Sequence, residues 1–239
     1  MNSVKTLWSE LQGALPLVRW RRLFVAAVLF WTPVIVFSKI ANEVREREVL
    51  RFDSDILLWL RSQSTPSLNA AVSAFTELGG VIVVSVSILC LVVYLWTQHR
   101  RRMAVFAAAA VGGAGIINFI LKHGFERQRP TILTALATES GYSFPSGHAM
   151  LSSALALAII LVVWHTAYRW LAIGIGALYI LSIGMSRLYL GVHYPTDVLA
   201  GWCVSAAWVL IVYTVVLKGG FLLQPRTKPK RASHTKHSS

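Results

Sequence analysis

Charged residues are scarce in this chain. Asp, Glu, Lys and Arg make up 14% of its 239 residues against 55% hydrophobic ones, and the mean hydropathy is +0.58. That balance excludes an ordinary soluble domain and points to a polytopic membrane protein. Negative charge is scarcest, with 10 Asp and Glu against 23 Lys and Arg and a formal charge of +13. The basic excess lies in the tail and in short connectors, as cytoplasmic Lys and Arg would be left by membrane orientation, so nucleic acid is the weaker explanation. The two cysteines, Cys90 and Cys203, both lie in apolar runs, which argues against a disulfide framework or a thiolate metal site. No pair of histidines has the spacing of a helical metal motif, and nearby cations would repel a metal. Neither a metal nor another cofactor is expected.

What is abundant is apolar sequence in runs of spanning length. An all-α fold with six transmembrane helices is expected, at about 23–41, 79–96, 103–121, 149–164, 170–185 and 198–217. They form one domain over 23–217, preceded by a basic cytoplasmic or interfacial segment over 1–22 and followed by a basic, disordered cytoplasmic tail over 218–239. The first run follows Arg19, Arg21 and Arg22 in the manner of a signal peptide, but it lacks a small-residue cleavage pattern and is expected to stay as an anchor. Between the first two spans, mixed-sign charge alternates with apolar residues and Thr65-Pro66-Ser67 breaks the pattern, which predicts one or two interfacial helices with a solvated face. Met103–Leu121 is rich in Ala and Gly, suited to close helix packing. Six spans put both termini on one side, together with Arg100, Arg101 and Arg102. The loops carrying the remaining polar residues then share the opposite, external face.

Those polar residues fall in three pieces. Lys122-His-Gly-Phe-Glu-Arg-Gln-Arg129-Pro130 comes first, Pro145-Ser146-Gly147-His148 second, and Ser186-Arg187 with His193 and Asp197 third. Lys122, Arg129 and Arg187 are three cations at one predicted depth beside the membrane, which suggests an anionic ligand, although Lys122 alone could simply snorkel. Ser146 reads as an N-cap, so that Gly147 and His148 would offer free amides to a phosphate. His193 and Asp197 are four apart around Pro195, a first-turn residue, so their side chains can meet on one helix face. A carboxylate on one imidazole nitrogen leaves the other free to attack phosphorus, which assigns His193 as nucleophile, Asp197 as its orienting partner and His148 as the acid for the leaving oxygen.

The three pieces resemble the signature motifs of the type 2 phosphatidic acid phosphatase family of integral-membrane lipid phosphatases. That pattern is Lys, six residues, Arg-Pro; Pro-Ser-Gly-His; and Ser-Arg, five residues, His, three residues, Asp. Its fixed positions match Lys122, Arg129, Pro130, Pro145, Ser146, Gly147, His148, Ser186, Arg187, His193 and Asp197. Phe52-Asp53 and Thr76-Glu77-Leu78-Gly79 are also similar to the segment preceding the motifs in bacterial members. The resemblance implies a metal-independent hydrolase of the bacterial inner membrane that works through a phosphohistidine on His193. Lys122, Arg129, Ser146, Gly147, His148 and Arg187 would hold the phosphate. Its partners would be membrane lipids and a lipid phosphate or diphosphate such as undecaprenyl diphosphate, phosphatidic acid or phosphatidylglycerol phosphate. Phosphotransfer from the same intermediate, or non-enzymatic carriage of an anion or lipid, would use a similar set of cations.

Overall fold

A computed structural model describes residues 2–46, 51–132 and 134–218, without the side chains of 2–19, 21–23 and 51. The expected basic tail after Lys218 lies outside the described residues, as do the side chains of Lys5, Arg19, Arg21 and Arg22. Every regular element among the described residues is helical.

Helix α1 (Asn2–Arg45) runs unbroken through the expected surface segment and the first span. Two shorter helices follow, α2 (Arg51–Ser62) and α3 (Pro66–Thr76), separated at the Thr65-Pro66-Ser67 break. The break works by capping: the Thr65 hydroxyl accepts from the Leu68 amide and Pro66 takes the first turn, where its missing N–H is no loss. A 3₁₀ turn leads into α4 (Val81–Thr97), and α5 (Arg101–Phe125) returns across the bundle. It ends where Glu126 adopts the left-handed conformation and donates its amide to the Lys122 carbonyl. The loop over 126–146 leads to α6 (Gly147–Val162), followed by α7 (Arg169–Tyr189) and α8 (Pro195–Val212), which closes in a π-helical turn (Tyr213–Lys218).

Among the described residues, five helical stretches are long and apolar enough to cross a membrane: Phe24–Arg45, Pro66–Thr97, Arg101–Phe125, Arg169–Tyr189 and Pro195–Lys218. The sixth expected crossing, at 149–164, is instead the 16-residue α6. Its length is about 24 Å at 1.5 Å per residue, against a hydrocarbon core of about 30 Å. α6 is also the most enclosed helix, packed against α5, α7 and α8, while α1 lies along α8 and α4 along α5. Met150, Ala154 and Ala158 of α6 meet Ala107, Ala110 and Ala114 of α5 in the core, where the alanines let the backbones approach. Large apolar side chains cover the outside instead, among them Leu29, Ile82, Leu89, Ile116, Leu171 and Leu178. This is a multi-pass membrane protein.

Two glycines set the geometry of the site. Gly191 (φ +71°) makes the turn after α7 that lets the chain double back toward Arg187 before His193. Gly201 of α8 lies against the strand-like approach to α6, where a Cβ would come within 2.9 Å of the Ser146 carbonyl. Gly201→Ala is therefore expected to force α8 and the Pro145–His148 turn apart, costing about 1–3 kcal/mol as an overpacked contact does. Gly174→Ala, whose Cβ meets nothing within 4 Å, is expected to be neutral or slightly stabilising. Thermal unfolding in detergent, read for both variants side by side, checks the difference.

Candidate active site

The site forms where the start of α6, the start of α8, the end of α7 and the loop over 126–146 meet. Pro195 begins α8, and Asp197, in its first turn, accepts the Tyr194 amide at 2.9 Å through Oδ2. That bond fixes the carboxylate, and the same oxygen stands 3.5 Å from His193 Nδ1. The separation is an ion-pair distance, longer than an ordinary N–H···O bond, and Nδ1 has no better partner. On the far edge of the ring, Arg129 Nη1 lies 3.5 Å from Nε2. His193 is 2% exposed. Its burial pushes the imidazole down to about 4, an effect opposed by Asp197 and reinforced by Arg187 and Arg129. The ring is thus neutral at ordinary pH, with one nitrogen facing a carboxylate and the other facing a cation.

Arg129 is held by carbonyls on three sides, donating to Gly141 (3.0 Å), Ser140 (3.1 Å) and Val192 (2.9 Å). Arg187 donates to Thr76 Oγ1 at 3.1 Å, and that threonine also accepts from Ser186. Between the two guanidiniums stands Glu139, hydrogen-bonded to Arg187 and 3.7 Å from Arg129. Burial alone would raise the Glu139 carboxyl, but Arg187 outweighs it and holds the group below the usual carboxylate range. Lys122, one turn before the end of α5, donates to the Tyr142 carbonyl and feels the charges of Arg129, Asp197, Glu139 and Arg187. His148, half-buried in the first turn of α6, lies within electrostatic reach of Arg187, Glu139, His193 and Lys122.

Ser146 occupies the N-cap position of α6 as expected, but it does not cap. Its Oγ is buried without a hydrogen-bond partner, while its backbone is engaged at both ends, the amide donating to the Asp197 carbonyl at 3.0 Å and the carbonyl accepting from the Met150 amide at 3.0 Å. Arg187 Nε is likewise buried and unpartnered. A buried donor left unsatisfied costs about 1–3 kcal/mol, which an arriving acceptor would recover. Gly147 sits tightly against Asn118, whose Oδ1 would be 3.1 Å from a Cβ there, and Asn118 in turn donates to the Pro145 carbonyl at 3.1 Å.

All eight residues assigned to the site from the sequence therefore converge, and five others stand with them: Asp53 and Thr76, noted only as part of segments similar to bacterial members, and Asn118, Arg127 and Glu139, which were given no role. The segment over 42–78 was expected to present a solvated face, and it does form two helices, yet Asp53 and Thr76 within it are fully enclosed. Asp53 accepts from the Thr196 amide (3.0 Å) and hydroxyl (2.7 Å). Arg127 bridges Asp53 (3.3 Å) and Asp197 (2.5 Å), donates to Thr196 Oγ1 (2.8 Å), and lies 4.1 Å over the Tyr194 ring. Asp53 carried a readable signal, because it shares a helical face with Leu57 and Leu60 and is thus a carboxylate in an apolar stripe. Arg127 lay inside the first motif but at none of its fixed positions.

Comparison with known proteins agrees with this geometry. Residues 103–220 match the family model described as PAP2 superfamily. Decaprenylphosphoryl-5-phosphoribose phosphatase of Mycobacterium tuberculosis is 33% identical over 131 residues, which are 54% of this chain and 70% of that one. Undecaprenyl-diphosphatase BcrC of Bacillus subtilis is 28% identical over 148 residues, 60% of this chain and 72% of its own. The crystal structure of a transmembrane PAP2 type phosphatidylglycerolphosphate phosphatase from Bacillus subtilis superposes with a TM-score of 0.67 at 25% identity, covering 85% of this chain and 98% of that one. By its matched segment, its relatives and its fold, the chain belongs to the PAP2 superfamily.

Proposed function

We propose that the protein is a membrane lipid phosphatase that hydrolyses a phosphate or diphosphate headgroup through a phosphohistidine on His193. The observation that carries this reading is the neutral His193 ring, oriented by Asp197 and faced at Nε2 by Arg129, beside buried donors on Ser146 and Arg187 that lack acceptors. A phosphoryl group held by Arg129, Arg187, Lys122, the Ser146 hydroxyl and the Gly147 and His148 amides presents phosphorus to Nε2. As the N–P bond forms, the bond from phosphorus to the leaving oxygen breaks and His148 gives that oxygen its proton. Asp197 stabilises the positive charge on the ring. Water then attacks phosphorus and loses a proton to His148, the N–P bond breaks, and phosphate leaves. The clamps act on the charge spread over the transferring oxygens, and the protein supplies mainly position and electrostatics.

The relatives act, by their names, on a decaprenylphosphoryl sugar phosphate, undecaprenyl diphosphate and phosphatidylglycerolphosphate. These share a phosphate next to a long apolar chain. A matching place exists in a groove of about 820 Å³ between α4 and α5, lined by Val84, Ile88, Leu89, Gly112 and Ile116 and reaching Asn118 beneath the Pro145–Gly147 turn. The lipid chain lies there, within the bilayer, while the headgroup reaches the loops. Alternate crossing of the helices puts the loop over 98–100, Trp20, Trp96, Trp164 and Trp170 at the end opposite the site, where basic and aromatic residues mark the cytoplasmic boundary. Both termini then face the cytoplasm of a bacterial inner membrane, and the headgroup chemistry is external, with α6 as the sixth crossing.

Detergent-purified protein is expected to release phosphate from phosphatidic acid, phosphatidylglycerol phosphate or undecaprenyl diphosphate with chelator present, and His193→Ala to abolish that release. A chelator-sensitive activity, or one that survives the substitution, would count against the reading. Because His193 must be the free base to attack and His148 must carry the proton it gives the leaving oxygen, kcat/KM should show an acid limb that falls about tenfold per pH unit below about 4 and an alkaline limb set by His148. An acid limb centred near about 6.5, measured on the free enzyme, would contradict the buried, neutral nucleophile. Gly112→Leu fills the groove where a Cβ meets nothing, so it should raise KM for long-chain lipid phosphates and leave a short water-soluble ester unaffected. Equal effects on both substrates would remove the chain from the groove.

A further inference from the structure

The groups behind His193 do not balance in charge. Asp53 and Asp197 are fully buried, the Arg127 side chain is 9% exposed, and these three are joined directly and through Thr196. Two carboxylates against one guanidinium leave one negative charge in excess while His193 is neutral. An unpaired charge in such a setting costs several kcal/mol, and the protein retains it where a single histidine separates the network from the phosphate clamps. Arg127 does not serve Asp197 alone, because its second nitrogen is turned to Asp53, which α2 brings in from the far side of α8.

We propose that Asp53 is a positioning residue for the hydrolytic reaction: by sharing Arg127, it leaves Asp197 only partly paired, with charge that the adjoining His193 ring meets directly on becoming cationic, while Arg129 and Lys122 act from the far side of that ring. The inference rests on the phosphohistidine reading and adds to it a role for a helix that lies outside the three motifs. When Nε2 bonds to phosphorus and the bond to the leaving oxygen breaks, the ring keeps its Nδ1 proton and acquires the positive charge. Asp53, Arg127, Asp197 and the ring then sum to zero. When water displaces the imidazole, the ring becomes neutral again and the excess negative charge returns. The network therefore stabilises the intermediate, and the flanking transition states, relative to the resting enzyme, which is the only kind of interaction that accelerates the chemical step. Without the Asp53 charge, Arg127 pairs fully with Asp197 and the ring cation loses its counterion.

The experiment compares wild type, Asp53→Glu, Asp53→Asn and the double variant Asp53→Asn/Arg127→Gln, using phosphatidic acid in mixed micelles with chelator present. D53N is expected to lower kcat by about tenfold or more with KM within about threefold, since the loss is confined to the charge-separated state. The double variant restores the single excess charge and is expected to regain most of that kcat, while D53E stays close to wild type. Recovery on removing a second buried group is the opposite of what lost packing gives, and the cycle isolates it. Unchanged kcat in D53N, or a double variant slower than D53N, would overturn the proposal. Should D53N fail to fold, the double variant decides alone: kcat within about tenfold of wild type supports the role, and a larger loss refutes it. Wild type without chelator-resistant hydrolysis would sink the phosphatase reading itself, whereas an active wild type with either adverse result sinks only the role of Asp53.

Discussion

A guanidinium buried between two carboxylates ties together three segments far apart in the chain. Arg127 stands at the start of the loop after α5, Asp53 in the first turn of α2 and Asp197 in the first turn of α8. Removing one partner of such a buried pair costs about 3–5 kcal/mol where a charge is stranded, although the Tyr194 amide still bonds Asp197 and the Thr196 amide and hydroxyl still bond Asp53. Together they fix the position of α8, and through α8 they fix both the imidazole that precedes it and the Ser146 amide that donates to the Asp197 carbonyl. The start of α6, and with it Gly147 and His148, inherits its place from the same anchor.

The phosphate side of the site is built on a different compromise. Arg129 and Arg187 are fixed cations brought close together, which is unfavourable until an anion separates them, and the Glu139 carboxylate stands between them in contact with both. Arg129 is further restrained by three carbonyls and Arg187 by Thr76, so neither must be immobilised at the moment of binding. Little orienting entropy then remains to be lost, which is the usual basis of electrostatic preorganisation.

What could be read from the sequence follows from how each feature is encoded. Membrane spans are encoded locally, by length and apolarity, and the expected bounds follow the helical stretches to within about four residues, except that the second stretch begins at Pro66 and not at 79, because α3 and a 3₁₀ turn continue into α4. The motif residues Lys122, Arg129, Ser146, Arg187, His193 and Asp197 stood out because polar groups beside apolar runs require an explanation. α6 was read as an ordinary crossing because hydropathy reports environment and says nothing of whether lipid or protein surrounds the helix. The roles of Glu139, Thr76 and Asn118 were illegible for another reason, even though Thr76 lies in a segment noted for its likeness to bacterial members. Each is an unremarkable residue whose partner lies 48, 111 or 27 positions away, and pairings of that kind are created by the fold. Asp53 lay between these cases, since its helical face betrayed burial but not the identity of what it meets.

The shortness of α6 bears on how a lipid could use this site. A helix of 16 residues spans about 24 Å, several Å short of a hydrocarbon core about 30 Å thick. On the proposed function, its N-terminal amides then sit below the ends of the longer α5 and α7, and a lipid reaches them along the α4–α5 groove, which runs to Asn118 beside the Pro145–Gly147 turn. On the same reading the chain holds the phosphate at the depth where the cations are, and tethered headgroups are favoured over free phosphate esters by where α6 begins, with no residue needed to read the headgroup itself.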